Sequence, residues 1–126
     1  MSRHEPLRSM KNRGFLERLG FALAGIATVF RRERSFRTQA LLAAGAAGLT
    51  AALAPGPIWF ALVMLTIGVV LALEMMNAAL EYALDRLHPE IAQEIKAAKD
   101  AAAGAVLVAS IAALAVGSAM VLATLR

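Results

Sequence analysis

Four polar side chains are set apart from a long apolar run by their spacing. Glu74, Asn77, Glu81 and Asp85 occupy relative positions 0, 3, 7 and 11. On a helix advancing about 100° per residue, this confines them to an arc of roughly 80°. The ladder rises about 16 Å along the axis. Carboxylates stacked on one face can divide the work, one acting as a general base while others supply hard oxygen ligands to Mg²⁺. Phosphoryl transfer needs both, together with cations for the phosphate oxygens. Lys96 and Lys99 precede the last apolar stretch, where a helix N-terminus is expected to offer free backbone N–H groups. No Walker A sequence, glycine-rich kinase loop, HRD or DFG accompanies them. The bland reading is a solvated helix face. It suits Asp85 alone equally well, whereas Glu74 in register with Asn77 and Glu81 points to function.

A further acid, Glu33, is flanked by Arg31, Arg32, Arg34 and Arg37. It either offsets its basic neighbours, as surface pairs commonly do, or approaches the ladder from another helix as a metal ligand. His4 and His88 are isolated, and with no cysteine in the chain there is no Cys-ligated metal site and no thiolate nucleophile.

The elements that must position these residues are membrane-like. Of 126 residues, 60% are hydrophobic and 17% charged, far from the usual globular mix. Ala40 to Ala54, Ile58 to Leu73 and Ala101 to Leu125 contain no Asp, Glu, Lys or Arg, which excludes a disordered chain and argues against a soluble enzyme. The expected architecture is all-α and integral to a membrane, with three transmembrane helices over about 36–54, 58–84 and 99–125. An amphipathic surface helix over about 15–31 precedes them, after a basic N-terminal arm of residues 1–14. Between Phe15 and Phe30 the apolar residues Phe15, Leu16, Leu19, Leu23, Ile26, Val29 and Phe30 fall within roughly 140°. The first span needs Phe36 to Gln39 added, with Arg37 snorkelling to the interface. Pro55-Gly56-Pro57 turns the chain back at once. Small residues between Leu41 and Leu53, with Gly104 and Gly117, permit close helix contact in lipid.

Nine of the thirteen Lys and Arg residues precede the first apolar stretch. Cytoplasmic membrane flanks explain that pattern without nucleic acid, and loop charge puts the N-terminus in the cytoplasm. The ladder begins just inside the edge of the apolar layer, at the depth of lipid headgroups, where it can meet a membrane-bound hydroxyl from one side and a soluble nucleotide from the other. A competing reading is a non-enzymatic transporter subunit or scaffold, with Glu74 as an intramembrane proton or cation site.

The segment Glu74-Met-Met-Asn77-Ala-Ala-Leu-Glu81-Tyr-Ala-Leu-Asp85 resembles the signature E-x-x-N-S/T-A-I/L-E-x-x-x-D of the small prokaryotic diacylglycerol kinases and the related undecaprenol kinases. Lys99-Asp100 follows at the expected distance. Glu33-Arg34-Ser35-Phe36-Arg37 is similar to the family's N-E-x-x-F-R segment, and the resemblance runs from about Phe15 to Leu125. One departure is Ala78, where the family has Ser or Thr, so a hydroxyl beside the signature Asn is lost. The family's early arginine aligns at Gly14, with Arg13 next to it.

The resemblance implies a multi-pass enzyme of the bacterial inner membrane, a homotrimer with active sites shared between subunits, moving the γ-phosphoryl group of MgATP to a lipid alcohol. It assigns the general base to Glu74, an organising role to Asn77, Mg²⁺ to Glu33 and Glu81, and the nucleotide to Lys99, Asp100, Glu90 and Phe21. Diacylglycerol is the favoured acceptor. Undecaprenol is the alternative, since Ala101 to Val106 looks somewhat like the undecaprenol kinase version.

Overall fold

The computed structural model describes residues 14–87 and 92–126, and no strand occurs among them. Four helices follow in order: α1 (Phe15–Arg32), α2 (Arg34–Leu53), α3 (Pro57–Leu87) and α4 (Gln93–Thr124). The basic arm up to Arg13, together with His88, Pro89, Glu90 and Ile91, lies outside the described residues.

α1 carries Glu17 in its first turn and Arg31 and Arg32 in its last, charges placed to complement the helix dipole. It stops at Glu33, whose backbone is extended (φ −111°, ψ 110°), and α2 starts at the next residue. One residue therefore sets the angle between the two helices. Arg37 donates from Nη1 to the carbonyls of Phe30 at 2.8 Å and Arg31 at 2.9 Å. The last carbonyls of α1 have no partner within the helix, and the guanidinium one turn into α2 supplies one.

At the far end of α2, Ala54 takes the left-handed conformation (φ 46°, ψ 58°). Gly56 follows at φ 108°, an angle that suits a residue without Cβ. Pro57 opens α3, at the helical position where its missing N–H costs nothing. The expected tight hairpin forms. α3 packs mainly on α4, which runs antiparallel to it, and next on α2, while α1 docks on α2 and α3.

α3 and α4, of 31 and 32 residues, extend about 46 and 48 Å, and both are long and apolar enough to cross a membrane. In each, only 17% of the apolar window is buried within the chain. They are therefore not the core helices of a globular domain, and their apolar faces are left for lipid or a partner chain. α2 is not in this class: its 20 residues open with Arg34, Arg37, Thr38 and Gln39. α4 begins at Gln93, six residues before the expected start, because Gln-Glu-Ile-Lys-Ala-Ala-Lys contains nothing that breaks a helix. Lys96 and Lys99 are thus inside the helix, and the free N–H groups belong to the turn before Lys99.

The chain buries little. Val29, Phe36 and Ala78 form one cluster, flanked by Leu71, Met75 and Tyr82, and it is this cluster that seats α1 on α3. Close packing through the small residues is not made within the chain: a Cβ added at Gly45, Gly48, Gly104 or Gly117 meets nothing within 4 Å. Between α2, α3 and α4 lies a largely apolar cavity of about 740 Å³, reaching from Leu122 and Val63 up to Val70 and Leu71.

Candidate functional site

α3 carries its buried side chains at Val63, Val70, Glu74 and Ala78, a spacing of seven, four and four that is a single helix face. Glu74 therefore continues the apolar stripe that faces the rest of the molecule, and it is 7% exposed. Taking a carboxylate out of water is costly unless partners compensate it. The described partner is Ser35 at the start of α2, whose Oγ donates to Glu74 Oε2 over 3.4 Å, longer than an ordinary O–H···O hydrogen bond and correspondingly weak. Among the described residues little repays that burial, which is how groups retained for chemistry stand apart from structural ones.

The rest of the ladder spreads over neighbouring elements. Asn77 is half-buried, and its Oδ1 is shut off from solvent without a hydrogen-bond partner among the described residues. Beside it, Ala78 is 3% exposed against Val29 and Phe36. Where the resembled signature has a hydroxyl, this chain has a methyl group in an apolar contact. Glu81 is half-buried. Asp85, at the outer end, accepts from Lys99 Nζ of α4 at 2.7 Å. Asp100 turns the other way and accepts from Lys96 at 2.7 Å, within α4 itself and largely in solvent.

Glu33 reaches α3 as expected of an acid approaching from another helix. The contact is to Tyr82, whose hydroxyl donates to Glu33 Oε1 at 2.7 Å. Arg32 lies over the same ring, its Cζ 4.1 Å from the centroid, a cation–π contact. Phe21 is 47% exposed on α1, about 12 Å along the axis from the docking residue Val29. Glu90 lies outside the described residues.

The structure thus joins Glu33 to α3, Glu74 to α2 and Asp85 to α4. Among the described residues no three His, Asp or Glu side chains converge as a metal cluster. Mg²⁺ does not need one, since it is usually held by one or two carboxylates with the remaining ligands from water and phosphate. Glu33, with one oxygen outside the described hydrogen bonds, and Glu81 fit that requirement by donor chemistry.

Two participants escape a reading of the sequence alone. Ser35 and Tyr82 stand within the segments that carry the resemblance, but at positions where any residue is allowed. Tyr82 is the one tyrosine of the chain, and its position four residues after Ala78 was the available signal, since that spacing returns to the same face.

The family model described as prokaryotic diacylglycerol kinase matches residues 20–121, a range that contains every site residue named above. A diacylglycerol kinase of Synechocystis is 41% identical over 105 residues, which is 81% of this chain and 59% of that protein. The chain thus spans less than two thirds of the length of this relative.

Proposed function

The chain belongs to the prokaryotic diacylglycerol kinase family, which its residues 20–121 match, and on that premise we propose that it transfers the γ-phosphoryl group of ATP to the hydroxyl of membrane diacylglycerol, giving phosphatidic acid and ADP. The observation that carries the reading is Glu74: a buried carboxylate that continues the apolar inner stripe of α3, with one long hydroxyl contact among the described residues. Glu74 removes the proton of the lipid hydroxyl as its oxygen attacks the γ-phosphorus, and the bond to the β-phosphate oxygen breaks to release ADP. Glu33 and Glu81 hold Mg²⁺, which when bound offsets charge on the phosphate oxygens. Asn77, whose Oδ1 lacks a partner among the described residues, orients groups beside the base. Lys99 and Asp100 contact the nucleotide, with Glu90 and Phe21.

The apolar cavity supports a lipid acceptor. Its upper wall at Val70 is one turn, about 6 Å, from Glu74, so an acyl chain lying in it brings a headgroup hydroxyl to the base. In this reading α2 is the third crossing, its polar first turns at the interface, and the N-terminus is cytoplasmic in the bacterial inner membrane. Exposed apolar faces on α3 and α4 and the small buried core support association of subunits, for which the family resemblance implies a homotrimer with shared active sites.

The test uses purified protein in mixed micelles with radiolabelled ATP, Mg²⁺ and either diacylglycerol or undecaprenol. Label in phosphatidic acid, in excess over undecaprenyl phosphate, is the expected result. Label in undecaprenyl phosphate alone reassigns the acceptor, and label in neither contradicts the kinase reading.

A further inference from the structure

Glu33 has four arginines within four residues of it in sequence, and an acid so placed is expected to be neutralised by one of them. A bidentate guanidinium would cover both carboxylate oxygens. Among the described residues none does so. Arg37 is committed to the carbonyls of Phe30 and Arg31, and Arg32 is stacked on the Tyr82 ring, 4.1 Å from its centroid. The described contact to the Glu33 carboxylate is instead the Tyr82 hydroxyl, at 2.7 Å from Oε1.

We propose that Tyr82 is the positioning residue of the divalent-cation site: its hydroxyl fixes the Glu33 carboxylate, its ring holds Arg32 off that carboxylate, and the second oxygen is left for the cation. The inference rests on the reading of Glu33 and Glu81 as the Mg²⁺ ligands. A phenol suits the task because it supplies one neutral donor, which orients a carboxylate without cancelling its charge. Tyr82 also follows Glu81 directly on α3, so a single residue couples the α1–α2 junction to the helix that brings the second ligand. Partners of this kind, which hydrogen-bond a ligand and do not touch the metal, commonly govern affinity.

Tyr82→Phe isolates the hydroxyl, because it keeps the ring, its packing beside Val29, Phe36 and Ala78, and the stacking of Arg32. Mn²⁺ titrations followed by electron paramagnetic resonance, on the full chain in micelles with a non-hydrolysable ATP analogue, read the site without turnover. Tyr82→Phe weakens Mn²⁺ binding about tenfold and raises the Mg²⁺ concentration for half-maximal rate by a similar factor. The unfolding temperature and the rate at saturating Mg²⁺ stay near wild type, which a merely structural role does not predict. Tyr82→Leu, which also frees Arg32, weakens binding further, and Arg32→Gln in that background restores part of the loss. If Tyr82→Phe binds Mn²⁺ like wild type while Glu33→Gln does not, the role of Tyr82 is overturned and the ligand reading stands. If Glu33→Gln also binds like wild type, the ligand reading falls and this inference falls with it.

Discussion

Two pairs of acids in this molecule have opposite kinds of partner. Glu74 and Glu33 accept hydrogen bonds from hydroxyls, those of Ser35 and Tyr82. Asp85 and Asp100 accept from the ammonium groups of Lys99 and Lys96. The first pair lies where helices meet, Glu74 buried and Glu33 half-buried, whereas Asp85 and Asp100 are both 65% exposed at the side chain. An ammonium neutralises its acid, and in solvent such a pair adds little to stability. A hydroxyl orients an acid and leaves its charge for something else. The difference separates acids whose charge is left for a proton or a cation from acids whose charge is already matched by a lysine.

That comparison is sharpened most by Glu33→Gln, which removes one charge while leaving an amide oxygen that can still accept from Tyr82. The expected outcome is at least a hundredfold rise in the Mg²⁺ concentration needed for lipid phosphorylation, measured against an unchanged helical circular dichroism spectrum. Ser35→Ala removes the hydroxyl from Glu74. Because that bond is long, the loss is smaller, about fivefold in kcat, as expected for a weak hydrogen bond, with the KM for ATP unchanged in steady-state assays. Lys96→Ala should do least: no measurable change in thermal unfolding temperature or in kcat. A large loss at Lys96, or none at Ser35, breaks the division between the two pairs of acids.

Much of the fold is legible in the residues. The apolar face of 15–30, the Pro55-Gly56-Pro57 break and the uncharged runs give four helices nearly as found, since each signal is local. The start of α4 is not legible in apolar character, because Gln93 to Lys99 is more polar than the span yet still helical. The close contacts expected of the glycines are not made within one chain, for small residues permit a neighbour without supplying one. The ladder from Glu74 to Asp85 is legible as periodicity, but its partners are not. Arg37 capping α1, Ser35 reaching Glu74 over 39 residues and Tyr82 reaching Glu33 over 49 all depend on the angle set at a single extended residue and on how Val29 and Phe36 seat on Ala78.

The most direct test of the central claim, that a buried acid held by a hydroxyl removes the lipid proton, is the initial rate of phosphatidic acid formation from diacylglycerol and MgATP by Glu74→Gln. Glutamine keeps the shape of glutamate and can still accept from Ser35, so folding and nucleotide binding are expected to be retained while the rate falls by about 10²- to 10⁴-fold. A Glu74→Gln protein that phosphorylates diacylglycerol at the wild-type rate contradicts the account.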